Sequence, residues 1–314
     1  MLRATLLLAV LAASAAVQAQ GQLRIILPVS AGSGVDTIAR ASQNALSKAL
    51  GQTVVVENLP GAGGVPGTHA IVKAPPDGRT VGIVSNNHVV NPSVYKTMPF
   101  DSIEDITPIS VIGSTPLMLV VNPKVPAQNV RELIAFLKAK PGAYNYASSG
   151  NGTIIHLAGE MFVQEGGVDA KHVPYKGVGP QLIDLISGQV QFGIVALPAA
   201  QGHLKSGALR ALGVGGRKRT PGAPDIPTIA EQGLPNYECE GWFAFIGPAK
   251  LPAAEVARIH AGIVAAFAAP EVQENMAKQG NQINPGTPDA AGKFFRSELA
   301  KYAALVKRAG IKID

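Results

Sequence analysis

Short apolar runs alternate with helix-length amphipathic segments along most of the chain. The first run, residues 23–27 (LRIIL), is apolar and branched, which predicts a buried strand. Residues 35–50 follow with apolar positions at helical spacing, and Gly51 provides a stop. Strands at 53–57 and 80–84 come next, separated by a glycine-rich turn and a helix. Strands separated by helices favour right-handed crossovers in a parallel sheet, so the sequence predicts an α/β fold.

A second series of strands and helices begins after a long apolar stretch at residues 109–121, which Gly113 and Pro116 interrupt. We predict that this stretch carries the chain from a first lobe into a second, and that the apolar run at 241–247 (GWFAFIG) carries it back. The second series has predicted strands at 144–147, 172–175, 190–196 and 209–214 and helices at 130–139, 153–164 and 180–186. Helices at 253–267, 270–279 and 288–309 close the chain.

The length of the chain and its two crossings predict two lobes, the first of them discontinuous. A chain of 314 residues exceeds what a single hydrophobic core usually serves. We therefore predict lobe 1 at 20–118 and 242–314, and lobe 2 at 119–241.

The N-terminus has the features of an export signal. Arg3 precedes an uncharged apolar run at residues 4–17, and residues 17–19 (VQA) fit the small-residue pattern that a signal peptidase recognises. The run is shorter than the roughly 20 residues that a spanning helix needs. A buried N-terminal helix is the alternative, but such a helix would have no polar face. We predict a signal peptide at 1–19, cleavage after Ala19 and a periplasmic location.

Charge and cysteine content narrow the class of protein. Lys and Arg number 27 against 21 Asp and Glu, a formal net charge of +6, and the longest basic run is only residues 217–219. This dispersed charge without interleaved aromatic residues argues against a nucleic-acid surface, whereas a mild positive field favours anionic solutes. The single cysteine, Cys239, excludes an internal disulfide and is expected to be a small buried residue.

Three loops that lead from a predicted strand into a predicted helix are rich in glycine and hydroxyl side chains. They are residues 28–36 (PVSAGSGVD), 147–153 (ASSGNGT) and 174–180 (PYKGVGP). Glycine lets the backbone approach a ligand, and the free N–H groups of a helix start favour an anion. Because such loops meet at the carboxyl ends of strands, we expect them to share a cleft, where Lys176 adds charge. This pattern favours a small carboxylate over a bulky apolar ligand.

Enzyme and cofactor alternatives have weaker support. Residues 32–37 (GSGVDT) partly match a dinucleotide fingerprint and Glu57 lies near the spacing of a ribose-binding acid, but Thr37 stands where the third glycine belongs. His156 and Glu160 have the spacing of two metal ligands, yet no third ligand is evident. No nucleophile elbow or phosphate-binding loop motif occurs. We therefore predict no catalytic residue, no metal and no cofactor.

Six ordered segments together carry a family resemblance. They are residues 28–36 (PVSAGSGVD), 57–68 (ENLPGAGGVPGT), 74–80 (APPDGRT), 146–160 (YASSGNGTIIHLAGE), 173–191 (VPYKGVGPQLIDLISGQVQ) and 225–238 (DIPTIAEQGLPNYE). From about residue 23 to the C-terminus, the chain closely resembles the Bug family, also called the TctC-like receptors of tripartite tricarboxylate transporters. The resemblance implies a type II periplasmic binding-protein fold, in which two Rossmann-like lobes joined by two crossing strands close on a small organic acid.

The resemblance also implies which residues bind the ligand. The family's first loop holds a carboxylate, partly through ordered waters, and lobe 2 contributes two further loops. Asp36 falls in the first helical turn, where a structural role is an equal alternative. The residues implied are Ser30, Ala31, Ser33, Gly34 and Asp36 in the first loop, Asn86 after the third strand, and Ser148, Ser149, Thr153, Ala196 and Leu197 in lobe 2.

The first loop departs from the family pattern. The family loop commonly reads like PFPPGGSTD, whereas this chain has Val29 in place of the aromatic residue, Ser33 between the glycines and Val35 at a hydroxyl position. The departure bears on which carboxylate is bound. The leading hypothesis is a monomeric, non-enzymatic receptor that delivers a carboxylate or dicarboxylate to a tripartite membrane permease. A sensor partner that presents its ligand to a signalling receptor and an exported enzyme are the alternatives.

Overall fold

The computed structural model describes residues 21–309, so the predicted signal peptide lies outside the described residues. The first series consists of β1 (Leu23–Leu27), α1 (Gly34–Leu50), β2 (Val54–Asn58), α2 (Val65–Val72), β3 (Thr80–Ser85), α3 (Asn87–Val94) and β4 (Ile106–Thr115). The second consists of β5 (Leu117–Val121), α4 (Val130–Lys138), β6 (Asn145–Ser148), α5 (Ile154–Gly166), β7 (Lys171–Pro174), α6 (Val178–Ser187), β8 (Phe192–Ala196), α7 (Leu197–Lys205) and β9 (Arg210–Val214). The chain then forms β10 (Gly241–Pro248), α8 (Ala253–Ala268), α9 (Pro270–Lys278), β11 (Gln282–Ile283) and α10 (Pro288–Ala309).

These strands form two separate sheets, each flanked by helices. One sheet has the order β11-β4-β10-β3-β1-β2 and the other has the order β7-β6-β8-β5-β9. The first sheet therefore combines strands from both ends of the chain, and the α/β prediction is confirmed. The lobe boundaries drawn from the sequence at 118/119 and 241/242 remain a prediction.

The first crossing between the sheets occurs at Pro116. Strand β4 ends at Thr115 in one sheet and β5 begins at Leu117 in the other, with only this proline between them. Proline has no backbone N–H to continue a ladder, so the chain changes sheets where the hydrogen bonding must stop. The chain crosses back to the first sheet after Cys239. The backbone N–H of Cys239 still donates to Gly215 O at 2.9 Å, and β10 then pairs with β4 in the first sheet.

The prediction of a parallel sheet is wrong for the crossing strands. Strand β1 is parallel to β2 and β3, and β6 is parallel to β7 and β8, as the βα alternation predicts. However, β10 is antiparallel to β3 and β4, and β5 is antiparallel to β8 and β9. No helical crossover turns the chain before these strands, so the direction of entry from the other lobe sets their orientation.

Two helices, α3 and α7, were not predicted. Helix α3 contains Pro92, which disfavours a helix because it removes one intrahelical hydrogen bond. Helix α7 is short, begins at Leu197 with Pro198 as its second residue, and has no side-chain cap. All the helices and strands that the sequence did predict are present, with small differences at their ends. Weak local signals therefore account for the two omissions.

Helix α1 shows how the local sequence sets the elements that carry the cleft. Ser33 caps its start by accepting from Asp36 N–H at 3.3 Å. Apolar positions such as Ile38 and Leu46 are buried along one face. Gly51 ends the helix with φ of 66°, a left-handed conformation that favours glycine.

The hydrophobic core runs through the crossing strands. All residues of β5 and β10 are buried, and one apolar cluster includes Ile26, Leu119 and Trp242 from both sheets. Cys239 is buried as predicted, and burial raises the pKa of its thiol to about 12, which makes it an unreactive core residue. Within residues 21–309, no helix is long and apolar enough to cross a membrane.

Candidate functional site

A cleft of about 510 Å³ lies where the loops of the two lobes face each other. Lobe 1 contributes its first loop, the glycine turn before α2, and two side chains of the α3 region. Lobe 2 contributes the loops before α5 and α6. The lining residues are Pro28, Val29, Ser30, Ser33, 60–64, Asn87 and Tyr95 from lobe 1, and 149–151, Thr153 and 174–178 from lobe 2.

Five helices begin at this cleft. The first residue or the cap of each lines it: Ser33 for α1, Gly64 for α2, Asn87 for α3, Thr153 for α5 and Gly177 for α6. A helix N-terminus carries partial positive charge and unpaired N–H donors. Their convergence creates a positive potential without mobile counter-charges, the environment that an anion requires.

Among the ionisable side chains of the lining, one is a cation and the tyrosines are neutral. Lys176 is the one cation among the described lining residues, and no Asp or Glu is among them. The hydroxyl of Tyr175 donates to Asp184 Oδ2 at 2.7 Å, and burial together with this bond raises the pKa of Tyr175 to about 12. Burial also raises the pKa of Tyr95, so both phenols are neutral hydrogen-bonding groups at physiological pH.

Two hydrogen bonds join the lobes at the edge of the cleft. Ser30 Oγ of lobe 1 accepts from Val178 N–H at 3.3 Å, and Asn87 Oδ1 accepts from Ile154 N–H at 2.7 Å. Both donors are the first residues of lobe 2 helices, α6 and α5. We call this pair the interlobe bonds. They show that the lobes are in contact, with side chains of one lobe capping helices of the other.

Four residues of the predicted site line the cleft together: Ser30, Ser33, Ser149 and Thr153. The Ser149 hydroxyl donates to Thr153 Oγ1 at 3.3 Å. Thr153 caps α5 by accepting from His156 N–H at 3.2 Å, as Ser33 caps α1. The two lobes thus present equivalent hydroxyl-capped helix starts to one space.

Asp36 lies outside the lining, where it holds the first loop in shape. Its carboxylate is buried and accepts from the Gly32 backbone N–H at 2.9 Å, Arg40 Nε at 2.9 Å and Asn58 Nδ2 at 3.0 Å. These three donors satisfy the carboxylate and tie the loop to α1 and β2. The geometry matches the structural alternative for this residue.

Asn86 also lies outside the lining and is fully buried. Its Oδ1 accepts from Trp242 N–H at 2.9 Å, and its Nδ2 donates to Glu240 O at 3.1 Å and Tyr302 Oη at 2.6 Å. The side chain therefore anchors the start of α3 to β10 and α10. The neighbouring Asn87 is the residue that faces the cleft and the other lobe.

The remaining predicted residues surround the cleft without lining it. Ala31 is exposed, and Ser148 is buried behind the lobe 2 loop. A Cβ built on Gly34 would lie 3.0 Å from Ala196 Cβ, so these residues mark a close contact between the lobes. Leu197 is buried and lines a separate surface groove on lobe 2.

Sequence reasoning missed the glycine turn as part of the site. Gly61, Gly63 and Gly64 have φ of 112°, 64° and 91°, values that disfavour any other residue. A Cβ on Gly64 would lie 2.7 Å from Pro28 O, so only glycine lets this turn pack against the first loop. The motif was visible in the sequence. Its proximity to the first loop was not, and neither was that of Tyr95.

The spacing of His156 and Glu160 does not build a metal site. Their side chains are 3.6 Å apart at Nε2 and Oε1, and the described residues contain no group of three His, Cys, Asp or Glu that could hold an ion. The pair instead belongs to a buried network behind the lobe 2 loop.

Comparison with known proteins places these features in a family. The family described as "Tripartite tricarboxylate transporter family receptor" (TctC) matches residues 38–311. Protein BugT of Bordetella pertussis is 36% identical over 293 residues, which cover 93% of this chain and 90% of BugT.

Solved structures agree with the fold. The periplasmic binding protein BugD superposes with a TM-score of 0.89 at 30% identity, covering 93% of this chain and 99% of BugD. The R. palustris protein Rpa4515, solved with adipate, superposes with a TM-score of 0.90 at 33% identity, covering 93% and 98%. The two-lobed periplasmic binding-protein fold is thereby confirmed.

Proposed function

The chain belongs to the tripartite tricarboxylate transporter receptor (TctC, or Bug) family of periplasmic solute-binding proteins, which are not enzymes, and we propose that it captures a small carboxylate or dicarboxylate in its interlobe cleft. The proposal includes export to the periplasm with cleavage after Ala19. It also includes delivery of the captured acid to a membrane permease of the tripartite type.

The observation that carries the proposal is the electrostatic character of the cleft. Five helix N-termini and Lys176 line it, with no acidic side chain among its described lining residues. A buried carboxylate needs hydrogen-bond donors to replace its lost hydration. Helix N-termini supply such donors from both lobes, and the Ser33 hydroxyl adds one from lobe 1.

The relatives and the lining support a substrate class. Rpa4515, at 33% identity, was solved with the dicarboxylate adipate, which supports an aliphatic dicarboxylate as the first candidate here. Val29 lines the cleft, whereas Val35 is buried in the apolar cluster of lobe 1. The departure of the first loop therefore alters the cleft wall at Val29, where the side chain is smaller and not aromatic.

Closure follows from a ligand that contacts both lobes. A carboxylate held by donors of α1 and of α5 stabilises the arrangement in which those helix starts face each other. The interlobe bonds of Ser30 and Asn87 form in the same arrangement. Binding therefore shifts the protein from an open to a closed population in proportion to its extra contacts in the closed state.

A thermal-shift and calorimetry screen tests the proposal. The exported protein, stripped of carried ligand by unfolding and refolding, is measured against adipate, shorter and longer dicarboxylates, citrate and the diamide of each acid. At about 100 times its dissociation constant a ligand adds about 2.7 kcal/mol to the unfolding free energy, which raises the Tm by several degrees. Stabilisation by an acid but not by its diamide supports the proposal. A refolded protein that responds to none of the acids contradicts it.

A pair of lysine variants locates the binding charge. Lys176→Gln removes the cation of the lining and is expected to weaken acid binding modestly, about threefold, and to reduce its salt dependence, since the side chain is exposed. Lys171→Gln, on the exposed edge strand β7 outside the lining, is the matched control and keeps the affinity.

A further inference from the structure

A partly buried cluster of ionisable side chains lies behind the lobe 2 loop of the cleft. It consists of Tyr146 on β6, His156 and Glu160 on α5, and His172 on β7, and we call it the histidine cluster. The two imidazole rings stack with centroids 3.9 Å apart and planes 8° from parallel. The Tyr146 ring stacks on His172 at 4.9 Å, and its hydroxyl donates to Glu160 Oε1. None of the four side chains lines the cleft.

Each histidine contacts the loop at a different point. His172 Nε2 lies 2.6 Å from Ser148 Oγ, and that hydroxyl oxygen accepts from Gly150 N–H at 3.2 Å. His156 Nδ1 accepts from Gly152 N–H at 3.2 Å. The two histidines therefore hold the loop in place through hydrogen bonds on both sides of Asn151.

The gripped segment has a backbone that needs support. Gly150 and Gly152 have φ of 133° and 71°. Gly150 O also accepts from Thr153 Oγ1 at 2.8 Å, and that threonine caps α5 at the cleft. Displacement of either glycine therefore moves a hydroxyl and helix start of the lining. The sequence presented His156 only as one half of a metal-like pair, whereas the tertiary structure makes it a support of the loop.

The contacts between the two imidazoles and the loop depend on where the imidazoles carry protons. The bond from Gly152 requires an unprotonated Nδ1 on His156, which leaves the Nε2 proton directed toward Glu160 Oε1 at 3.6 Å. A second proton on His156 would set two N–H groups against each other. A proton on His172 would place a cation in a half-buried site against a stacked ring.

The surroundings of His172 favour its neutral form near pH 7. Burial, followed by the proximity of His156, lowers the pKa of His172 to about 4, while Glu160 opposes this shift. The pKa of Glu160 is itself held below its usual value, first by the hydrogen bond with His156 and also by that from Tyr146. Helix α10 packs on α5, but its charged residues Lys301 and Glu298 form an ion pair with each other at 3.2 Å. Glu298 also accepts a hydrogen bond from Trp242 Nε1 at 2.8 Å.

We propose that the histidine cluster is a positioning device for the ligand-binding loop: His156 and His172 act as hydrogen-bonding groups that keep Gly150, Gly152 and the α5 start in binding geometry, and protonation of His172 weakens this support. The inference rests on the proposed function, since the loop is assigned to carboxylate binding. It adds two residues that do not contact the cleft and a pH dependence that the cleft itself does not predict.

The direction of the pH effect follows from the neutral requirement. An exposed histidine titrates near 6.5, whereas His172 in the folded protein titrates near 4. His172 therefore stays neutral as the pH falls from 8 to about 5, and its support of the loop weakens as it becomes protonated near pH 4. At the pH that equals the pKa of His172, half of the molecules carry the proton, so the fraction competent to bind is about half.

Isosteric and apolar variants separate positioning from general structure. The Asn oxygen stands in place of Nδ1, so His156→Asn retains an acceptor for Gly152, and Gln reaches the place of Nε2, so His172→Gln retains a partner for Ser148. Neither replacement titrates. His156→Leu and His172→Leu remove the groups, and His203→Gln on α7 is the control for loss of an unrelated histidine.

Calorimetry at pH 7.5 with adipate, or with the acid identified in the screen, gives the first result. The leucine variants are expected to bind about tenfold more weakly or worse, while His156→Asn, His172→Gln and His203→Gln stay within about threefold of the parent. Far-UV circular dichroism and melting curves of each variant verify folding. Equal affinity in the folded leucine variants, or equal losses in the leucine and isosteric variants, overturns the proposal.

The pH profile gives the second result. The affinity of the parent is divided by that of the His172→Gln variant at each pH from 8 to 4, so that protonation of the ligand and of every other group cancels. The ratio is expected to be constant down to about pH 5 and then to fall about twofold near pH 4. A flat ratio over the whole range overturns the proposal.

NMR of the ligand-free protein distinguishes failure of this inference from failure of the proposed function. The ring nitrogen shifts should show His156 as the Nε2–H tautomer, and the amide resonances of Gly150 and Gly152 should move in His156→Leu but not in His156→Asn. These signals need no ligand. Unchanged glycine resonances in His156→Leu reject the positioning role, whereas absence of acid binding with the expected NMR pattern rejects only the proposed function.

Discussion

The first loop of lobe 1 and the loop before α5 in lobe 2 reach a similar geometry through opposite kinds of support. Both end in a hydroxyl N-cap at the cleft, Ser33 in one and Thr153 in the other. The first is braced by a buried carboxylate, Asp36, with Arg40 as its ion-pair partner. The second is braced by the stacked, neutral imidazoles of His156 and His172.

The difference shows two solutions to one electrostatic problem. A brace behind an anion site must not cancel the positive potential of the helix starts. In lobe 1 the negative charge of Asp36 is offset by Arg40 at 2.9 Å, and burial of an unpaired carboxylate would cost several kcal/mol. In lobe 2 the groups that contact the loop are imidazole nitrogens, and protonation of His172 makes this support sensitive to pH.

Removal of the charged brace should have the largest effect. Asp36→Ala leaves Gly32 N–H, Arg40 and Asn58 without their acceptor. We expect the unfolding free energy to fall by about 2–4 kcal/mol. Denaturant unfolding measures it, with Asp36→Asn as the control that keeps the volume and part of the bonding. A loss below 1 kcal/mol in Asp36→Ala would show that the first loop does not depend on this brace.

The hydroxyls of lobe 2 should contribute to affinity by shaping the start of α5. The double variant Ser149→Ala/Thr153→Ala is expected to weaken acid binding by about 1–3 kcal/mol, because α5 loses its cap and Gly150 O loses its hydroxyl donor at the cleft. Calorimetry gives the affinity. Thr153→Ser, which keeps the hydroxyl and the cap of α5, is the matched control. A folded double variant with unchanged affinity would remove both residues from the site.

Low pH should lower the stability of the protein through a residue of lobe 1 and its affinity for the acid through a residue of lobe 2. In lobe 1, burial lowers the pKa of His88 to about 4, and its Nε2 lies 2.7 Å from Ser102 O. The unfolded state binds the proton from about pH 6.5 and the folded state only near pH 4, so the contribution of neutral His88 is complete above 6.5 and is lost between these values. His88→Gln should reduce the fall in unfolding free energy between pH 6.5 and 5 by about 1–2 kcal/mol.

The His88 variant and the histidine cluster thus separate stability from binding. His88→Gln is expected to leave the pH profile of acid affinity at its parental form, since His88 is buried against Ser102 and does not line the cleft. Melting curves and calorimetry on the same samples compare the two. A changed affinity profile in His88→Gln would show that the acid response is global and not a property of the lobe 2 loop.

The interlobe bonds should have the smallest effect. Asn87→Ala removes the acceptor of Ile154 N–H, and Ser30→Ala removes that of Val178 N–H. Each is expected to weaken acid binding by about 0.5–1.5 kcal/mol by favouring the open population. Small-angle scattering should show a larger radius of gyration at subsaturating ligand. The shorter bond of Asn87 predicts the larger loss, and equal effects would indicate that the bonds are interchangeable.

Much of the site was predictable where the signal was local. Hydroxyls at helix starts and glycines in strand-to-helix loops predict Ser30, Ser33, Ser149 and Thr153, and all four line the cleft. Asn86 was predicted in place of Asn87, because the sequence does not reveal at which residue a helix start turns toward the cleft.

The residues that the sequence missed depend on distant neighbours. Tyr95 and the glycine turn at 60–64 lie at the cleft because α3 and the turn pack beside the first loop. His172 acquires its role from His156, a residue on another element of the chain. No periodicity or spacing records such pairs.

By itself, the sequence determined the α/β class, the N-caps of the cleft helices, the break at Pro116 and the family. These depend on interactions between residues close in the chain, or on long ordered motifs. The tertiary structure alone decided the antiparallel crossing strands, the role of Asp36 as a brace and the stacking of His156 on His172. Those features depend on which surfaces meet when two sheets pack, and burial at that contact sets the charge that each side chain can carry.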